Sequence, residues 1–334
     1  MSDRRPSTYD IARLAGVSRS TVSFVLNGRK DIWIADETRE RVFAIAKQLN
    51  YRPNQLARAL ITGTSRLVGL WMWSMSTPFN ASIIEQSLKL MHADGYQALF
   101  FEMSSLGDAP DLPDPGQWPL DGIIAEGDPA FLKAYVDRHD LTTPIVTIGV
   151  RTSPATDQVN FDISIGVGEA LRHFVDTGRT RIAFLLPNNI ALDSDEERLA
   201  CYRQFMSEID EAPVYIRCDF SARSRTAVMD EIAAHVEAYG CPQAILCYND
   251  EMAIAANRVL RERGLRVPDD VNLVGCDNWV ETEFQVPQLS TISIPVNEGC
   301  STAWEFLRNR IANPDIPTQT AKLPAHLIRR GSTS

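Results

Sequence analysis

The apolar residues of the chain follow one pattern before Leu67 and another after it. In residues 1–66, short apolar stripes at helical spacing predict a small helical domain. Beyond that point, apolar runs typical of buried strands alternate with amphipathic helical stretches. The predicted strands are RLVGLWMW, ALFFEM, DGIIAEG, PIVTIGV, RIAFLLP, VYIRC, AILCYND and VNLVGCD. Strands that alternate with helices predict a mostly parallel sheet with helices on both faces, and the length of this part implies two such units.

Two short helices joined by a turn are predicted at the start of the chain. The first covers Tyr9 to Leu14, and Gly16 supplies the backbone freedom that a tight turn needs. Ser18 is a good N-cap for the second helix, which ends near Leu26. The apolar face of this second helix consists of Val22, Val25 and Leu26. Such a pair forms a helix-turn-helix, whose second helix enters the major groove of DNA by its N-terminal residues.

Charge is distributed unevenly along the chain, which has a net charge of -10. Residues 1–66 hold 12 Lys and Arg against 6 Asp and Glu, whereas the remainder holds 21 against 37. The acidic remainder would repel phosphate, so any binding of nucleic acid must go through the basic N-terminal part.

A third helix is predicted in this N-terminal part, with Asp36 and Glu37 in its first turn. Its apolar stripe consists of Val42, Ile45, Ala46 and Leu49.

Composition and motifs argue against several classes of protein. No apolar run approaches about 18 residues, and the start MSDRRPSTYD lacks the apolar core of a secretory signal, so we expect a cytoplasmic protein without a membrane partner. The six cysteines include no C-x-x-C pair and are expected to be reduced thiols. The five histidines lie outside metal-ligand spacings, and neither a G-x-S-x-G nor a Walker A motif occurs. The sequence therefore predicts no catalytic residues, no metal site and no cofactor.

Polar and aromatic side chains follow several of the predicted strands. Ligands of open α/β sheets bind beyond the carboxyl ends of the strands. In this chain those positions hold Ser74, Ser76, Pro78, Phe79, Asp219, Phe220, Asn249, Asp250, Asp277, Asn278 and Trp279. Amides and carboxylates next to aromatic rings are typical of a site for a polyhydroxylated ligand, because they bind hydroxyls while a ring packs on the C–H face. The alternative for each residue is a turn or a helix cap, which we favour for Asp250 and Asn278.

Residues 8–28 and 36–63 resemble the DNA-binding headpiece of the lactose-repressor (LacI/GalR) family of bacterial transcription factors. The resemblance is carried by TYDIARLAGVSRSTVSFVLNG, ETRERV, LNYRPNQLARAL and a closing TG. It implies that Arg19 and Ser20 read bases in the major groove and that Tyr9 contacts a phosphate. It also implies contacts to the DNA backbone or bases for Ser18, Thr21, Ser23 and Asn27.

The same resemblance identifies residues 54–60 as a hinge helix that folds only on the operator. The apolar residues of this segment are too few to hold a helix in isolation. Ala57 is expected to pack in the minor groove and Leu60 to wedge into the central base step, where the surface that a kinked duplex wraps offsets the cost of unstacking. Two features depart from the family. Phe24 occupies the position of a base-reading Arg, and the loop GRKDIWIADE is two residues longer than in the lactose repressor and carries Trp33, to which the resemblance assigns no role.

The rest of the chain is similar to the effector domain of the same family, whose fold is that of periplasmic sugar-binding proteins. The similarity lies in ILCYNDEMAIAANRVLRERGLRVPDDVNLVGCDN, PQLSTISIPVNEG and AHLIRRGST. It implies a cleft between two subdomains, where the effector binds Ser74, Phe79, Arg198, Phe220, Asn249, Asp277 and Asn297. Asn297 is expected on the crossover strand. Gly149 stands in place of a ligand-binding Asp and Cys201 in place of a Gly, so the resemblance does not identify the sugar.

The sequence thus predicts an all-α helix-turn-helix headpiece followed by an α/β, periplasmic-binding-protein-like effector domain with two parallel-sheet subdomains. The headpiece is assigned to residues 1–53, the hinge helix and linker to 54–64, and the effector-binding and dimerisation domain to 65–334. Within that domain the N-subdomain comprises 65–161 plus 292–323, and the C-subdomain comprises 162–291 plus 324–334.

The predicted function is sequence-specific regulation of transcription by a homodimer bound to a pseudo-palindromic operator. These features favour a repressor of carbohydrate-use genes, nucleoid-associated when bound, that a small sugar or sugar-phosphate releases. A dimer is expected and not a tetramer, because RRGSTS ends the chain without leucine heptads. Two alternatives stay open: an intracellular solute-binding protein without a DNA function, and a corepressor-dependent regulator of the same fold.

Overall fold

The structure of the chain is a computed structural model. It describes residues 6–26, 28–29, 31–51, 63–75, 77–103, 118–127, 129–139, 142–149, 156–191, 196–219 and 225–334. Contacts between residues divide the chain into two units, a headpiece of Met1–Ser65 and a body of Arg66–Ser334. The predicted hinge and linker at 54–64 fall outside the described residues, apart from Gly63 and Thr64.

The described part of the headpiece forms three helices, α1 at Thr8–Ala15, α2 at Arg19–Leu26 and α3 at Asp36–Gln48. The first helix ends at Gly16, whose φ of 66° lies in the left-handed region that glycine adopts without strain. The Ser18 hydroxyl accepts a hydrogen bond from the Thr21 amide at 3.0 Å and so caps α2. Both features agree with the predicted turn and cap. The buried core that joins the helices consists of Ile11, Ala12, Ala15, Val22, Val25, Val42 and Ala46.

The described residues of the body form twelve strands and eight α-helices. The strands are β1 Leu67–Met72, β2 Gln97–Glu102, β3 Gly122–Glu126, β4 Ile145–Gly149, β5 Asp157–Asp162, β6 Ile182–Pro187, β7 Val214–Cys218, β8 Ala244–Cys247, β9 Asn272–Cys276, β10 Ser290–Ser293, β11 Thr320–Pro324 and β12 His326–Ile328. The helices are α4 Pro78–Ala93, α5 Pro129–His139, α6 Ile163–Asp176, α7 Asn188–Ala191, α8 Glu197–Glu208, α9 Arg225–Tyr239, α10 Asp250–Glu262 and α11 Val296–Ala312. Across the described part of the chain, no helix combines the length and the apolar character that a bilayer span requires.

These strands build two six-stranded sheets. The first has the order β11-β5-β4-β3-β1-β2, and its neighbouring strands are all parallel. The second has the order β12-β10-β9-β8-β6-β7 and is parallel except where β12 pairs antiparallel with β10. All eight predicted strands are present, and the predicted α/β fold class with two parallel-dominant sheets is confirmed.

Four strands were not predicted: β5, β10, β11 and β12. β5 reads DQVNFD, so polar residues occupy four of its six positions, and only alternate side chains are fully buried. β10 has the sequence STIS, and β12 has three residues. These strands lack the continuous apolar run that identified the other eight.

The chain passes between the two sheets three times: from β5 into α6, from β10 into α11, and from β11 to β12. Helix α6 packs against β10 and β12 of the second sheet, and α11 packs against β3, β4 and β5 of the first. The Ala325 amide donates to the Asp162 carbonyl at 3.0 Å, which ties the first crossing to the last. The crossings therefore lie next to one another at one edge of each sheet.

Asp157 attaches the return strand β11 to β5. Its carboxylate accepts hydrogen bonds from Arg310 Nη2 at 2.7 Å and from the Gln319 amide at 2.7 Å. Burial alone would raise the pKa of Asp157, but the hydrogen bonds from Arg310 and Gln319 hold that pKa below its usual value. Because Arg310 lies in α11 and Gln319 precedes β11, one buried carboxylate holds a helix and a strand on β5.

Replacing Gly299 by Ala should destabilise the body. Gly299 lies in α11, and a Cβ there would stand 2.5 Å from ring carbons of Phe161 in β5. Overpacking of this kind costs about 1–3 kcal/mol, so the urea midpoint should fall in an unfolding curve. Ser301→Ala, at an exposed position of the same helix, is the matched control and should change stability little. Equal midpoints for the Gly299 variant and the parent would contradict the close approach of α11 and β5.

Candidate functional site

The first turn of α2 presents polar side chains to solvent. Arg19 and Ser20 are exposed, and Tyr9 on α1 is also exposed. The Ser18 hydroxyl lies 2.8 Å from the Thr21 hydroxyl and 3.0 Å from the Thr21 amide, so these two side chains also stabilise the start of the helix. The remaining positions that the resemblance assigns to DNA are Ser23, half-buried on α2, and Asn27, Ala57 and Leu60, which lie outside the described residues.

Arg39 of α3 forms hydrogen bonds with the backbone of the loop that follows α2. The Arg39 guanidinium donates to the carbonyls of Arg29 and Ile32, each at 3.1 Å. Phe24, at the position of the expected base-reading Arg, is half-buried, and the Arg29 guanidinium lies over its ring at 5.5 Å from the centroid. Trp33, in the same loop, is 89% exposed. Through Arg39, the described residues of this loop are thus anchored to α3.

A cavity of about 390 Å³ opens in the body at the carboxyl ends of strands from both sheets. Five of the seven predicted effector-binding residues line it: Ser74, Phe79, Arg198, Asn249 and Asp277. Ser74 and Phe79 follow β1, Asn249 and Asp277 follow strands of the second sheet, and Arg198 lies in the first turn of α8. Phe220 lies outside the described residues. The structure therefore brings together side chains that are up to about 200 positions apart in sequence.

The prediction for Asn297 requires a correction. The family resemblance implied a position on a crossover strand, but β10 ends at Ser293 and α11 begins at Val296. Asn297 lies in the first turn of that helix, is exposed, and its carbonyl accepts a hydrogen bond from Ser301. Pro295 fixes the backbone ahead of the helix, and its carbonyl accepts the Gly299 amide at 2.9 Å. Asn297 is not among the described residues that line the cavity.

Arg198 is buried in the wall of the cavity together with Glu196. Its Nε donates to Glu196 Oε1 at 2.5 Å, and its Nη1 donates to the Tyr248 carbonyl at 3.0 Å. The guanidinium also lies over the Tyr248 ring, 3.6 Å from the centroid. Burial by itself lowers the pKa of Arg198, but the charge and hydrogen bond of Glu196, together with the nearby Tyr248 and Cys276, outweigh this effect and raise that pKa. Arg198 is therefore a fixed cation with an internal counter-ion.

Asp250 holds the turn that carries Asp277. The Asp250 carboxylate accepts hydrogen bonds from the Thr291 hydroxyl and from the Trp279 amide, both at 2.7 Å. The turn needs support because Asp277 and Asn278 have φ angles of 109° and 55°, which non-glycine residues rarely adopt. Asp250 is fully buried, and that burial raises its pKa to about 7. Its role in the structure agrees with the turn interpretation favoured from the sequence.

The two carboxyl groups of Glu126 and Asp277 lie on opposite walls of the cavity. Glu126 ends β3 of the first sheet, and Asp277 follows β9 of the second. Burial raises the pKa of Glu126 to about 7 and raises the pKa of Asp277 well above its usual value. Asn249 caps α10 through its Oδ1, which accepts the Met252 amide at 2.9 Å, so its side-chain nitrogen is the group that can donate to a ligand.

Several residues of the cavity wall were missed by the sequence analysis. They are Trp73, Asn80, Glu126, Glu196, Tyr248 and Trp279, the last of which follows a predicted strand but was not assigned to the effector. Trp73, Glu126 and Tyr248 each end or follow a predicted strand, so the rule that identified Ser74 would also have found them. Glu196 follows no predicted strand, and the sequence has no signal for its pairing with Arg198.

Comparison with known proteins identifies the family. Residues 7–54 match the family of bacterial regulatory proteins, lacI family, and residues 171–333 match the periplasmic binding protein-like domain. The HTH-type transcriptional repressor PurR of Erwinia tasmaniensis is 30% identical to this chain, with 97% of this chain and 96% of that protein covered. The chain belongs to the LacI family of bacterial regulatory proteins.

Solved structures of this family share the whole fold. A lac repressor dimer bound to operator and the anti-inducer ONPF has a TM-score of 0.83 and 25% identity, with 99% of both chains covered. The regulator CelR in complex with cellobiose has a TM-score of 0.67 and 25% identity, with 98% of this chain and 100% of that chain covered. This LacI-family chain is thus a DNA-binding transcriptional repressor and not an enzyme, as predicted. The alternative of a solute-binding protein without a DNA function is wrong.

Replacing Asp250 by Asn should change how the stability of the repressor depends on pH. The pKa of Asp250 is about 7 in the folded body, whereas an Asp of an unfolded chain titrates near about 3.9. Between these values only the folded state holds the proton, so the unfolding free energy falls by up to about 1.4 kcal/mol per pH unit as pH rises. Urea unfolding from about pH 5 to about pH 8 should show this slope reduced in the variant. Asp269→Asn, at an exposed carboxyl, should keep the parental slope, and an unreduced slope in Asp250→Asn would contradict the assignment.

Proposed function

We propose that this repressor is a homodimer whose hold on a pseudo-palindromic operator is released by an unphosphorylated carbohydrate. It works in the cytoplasm, associated with the nucleoid while it is bound. The observation that carries the proposal is the cavity, in which hydrogen-bonding groups from both sheets surround a space walled by aromatic side chains. Its volume of about 390 Å³ lies in the range of small-molecule sites.

The groups of the cavity suit a polyhydroxylated ring. Asp277 accepts hydrogen bonds from hydroxyls, and Arg198 and the amide nitrogen of Asn249 donate to them. Phe79 packs edge-on against Phe161, with 6.3 Å between the ring centroids, which fixes its orientation in the wall. A ring held in this way gives the C–H face of a sugar a flat apolar surface. Ser74, and Phe220 outside the described residues, are assigned to the same site.

The charges of the cavity disfavour a phosphorylated sugar. Of the described residues in its wall, Arg198 alone is basic, and Glu196 already neutralises it at 2.5 Å. A phosphate would add negative charge beside Glu126 and Asp277, where burial already raises the pKa of both carboxyl groups and thus disfavours negative charge. The sugar-phosphate that the sequence left open is therefore the weaker candidate.

The relatives support the same assignment. One solved relative carries operator and an anti-inducer, and another carries cellobiose. On this basis Arg19 and Ser20 read bases, Tyr9 contacts a phosphate, and residues 54–60 form a hinge helix that places Ala57 and Leu60 in the minor groove. Ser18, Thr21, Ser23 and Asn27 contact the DNA backbone or bases.

Effector binding and DNA binding are coupled through the body. Strands β1–β5 and β11 form one sheet and β6–β10 and β12 the other, which supports the assigned N- and C-subdomains to within two residues at each boundary. Closure of the cavity on a ligand shifts one subdomain against the other, and the paired hinge helices of the dimer lose their packing. Such coupling requires the effector to bind the two arrangements with different affinities, typically by about 1–3 kcal/mol.

Replacing Asp277 by Ala should abolish the response to effector and leave effector-free DNA binding unchanged. A gel shift with genomic fragments supplies the operator, and thermal shift against a carbohydrate panel supplies the effector, since a ligand of the folded state raises its stability. Operator binding of parent and variant is then titrated with that sugar by fluorescence anisotropy. Asp176→Ala, at an exposed position of α6, is the control. A dose–response like that of the parent would refute the role of Asp277, and tighter operator binding with sugar would identify a corepressor.

Leu60→Gly should weaken specific operator binding and leave the thermal stability of the body unchanged. The substitution removes the apolar wedge and lowers helix propensity in the hinge, so kinking of the duplex loses its compensation. We expect a loss of about tenfold or more in operator affinity, corresponding to at least about 1.4 kcal/mol, with little change on non-specific DNA. Leu60→Met, which keeps an apolar side chain, serves as the control. Equal operator affinity for the Gly variant and the parent would exclude the wedge.

A further inference from the structure

Carboxyl groups outnumber basic groups in the wall of the cavity. Glu126, Glu196 and Asp277 all line it, and the one described basic residue of that wall is Arg198. Glu196 and Arg198 form a buried ion pair with 2.5 Å between Oε1 and Nε, so their charges cancel within the wall. Two carboxyl groups then face the ligand space without a cation of their own among the described residues.

The surroundings of these two carboxyl groups differ. Asp277 lies on the same wall as Arg198, and the charge of Arg198 partly offsets the effect of burial on the pKa of Asp277. Glu126 lies on the opposite wall, where it accepts hydrogen bonds from the Trp73 amide, 3.3 Å from Oε2, and from the side chain of Asn80. Both of these donors are neutral. Burial consequently raises the pKa of Glu126 to about 7.

Aromatic side chains surround the space between the two walls. Trp73 lies next to Glu126 on the first-sheet side, and its ring meets Phe131 edge-on with 5.8 Å between centroids. Trp279 lines the cavity on the second-sheet side, together with Tyr248, whose ring is already in contact with the Arg198 guanidinium. The faces of tryptophan and tyrosine rings attract cations, most strongly where water is excluded. Carboxyl and aromatic groups together therefore favour a ligand with a positive charge.

We propose that the effector is an amino sugar that binds in its ammonium form, and that Glu126 is the carboxylate that binds the ammonium group. This inference rests on the proposed carbohydrate-responsive function and names the class of carbohydrate. The hydroxyl groups of the ligand bind Asp277, Asn249 and Arg198 on the second-sheet wall, and the ammonium group supplies Glu126 with a counter-charge that none of the described residues of the wall provides. A neutral sugar would leave this carboxylate uncompensated.

The competing arrangement is a protonated Glu126 that donates a hydrogen bond to a neutral sugar. The two arrangements differ in their response to pH. Ammonium binding needs the ionised carboxylate, so lowering the pH from about 7 to about 6 should weaken binding about fivefold, whereas a protonated donor should gain affinity. Other titrating groups contribute as well, with Glu196, Arg198 and Asp277 facing Glu126 from the second-sheet wall. The share that belongs to Glu126 is the part of the pH dependence that disappears in Glu126→Gln.

The test uses the full-length protein and matched ligands. Glucosamine, galactosamine and mannosamine are each compared with the neutral parent sugar and with the N-acetyl form, which keeps the shape and removes the charge. We expect one ammonium form to bind about tenfold or more tightly than both of its neutral counterparts in calorimetric titrations at about pH 7. Glu126→Gln should reduce this preference to about twofold or less, whereas Glu85→Gln, at an exposed position of α4, should preserve it.

The outcomes separate the two levels of the proposal. If neutral sugars bind as tightly as their ammonium forms, or if binding strengthens at lower pH, the amino-sugar inference is overturned and the carbohydrate function stands. If a well-folded protein binds no member of the panel, and no other carbohydrate raises its melting temperature, both proposals fail. If Glu126→Gln does not fold, the comparison of ammonium and N-acetyl forms on the parent protein decides the inference alone.

Discussion

The structure depends on the fact that parallel strands all end at the same edge of a sheet. Most described residues in the wall of the body cavity lie at or just beyond the carboxyl end of a strand, from Trp73 after β1 to Ile294 after β10, whereas Glu196 and Arg198 lie at the start of α8. The backbone at these ends has left the ladder, so polar side chains can turn into the cavity without breaking sheet hydrogen bonds. Two sheets that present such edges to one space create a site from residues far apart in the chain.

Burial of charge sets the second level of organisation. Arg198 and Glu196 neutralise each other, and Asp250 uses both of its oxygens on Thr291 and the backbone of the turn. These groups are satisfied by the protein, so they hold the site in shape. Glu126 and Asp277 are only partly satisfied. Carboxyl groups whose partners all come from the protein thus form the framework of the cavity. Carboxyl groups with only some of their partners in the protein are the ones that contact a ligand.

Much of this architecture could be predicted from the sequence, and the omissions have physical causes. Strands buried on both faces require continuous apolar runs, so all eight of those strands were identified. The strands β5, β10, β11 and β12 were not identified. The side chains of β5 and β11 alternate in burial, and β10 and β12 are short strands next to the connections between the sheets. The cavity residues that follow predicted strands were accessible to the same reasoning. The burial of the Arg198–Glu196 pair and the helical position of Asn297 were not. The first depends on packing against Tyr248, which is distant in sequence, and the second depends on the helix that begins after Pro295.

The clustering of the three crossings limits how the body can move. Connections at one edge form a hinge. They resist sliding and separation of the two sheets but allow the sheets to rotate about the line through the three connections. The far edges then swing apart or together along a single path. Ligand binding in the cavity then changes one quantity, the angle between the two sheets. Two copies of the chain can therefore undergo the same rotation together.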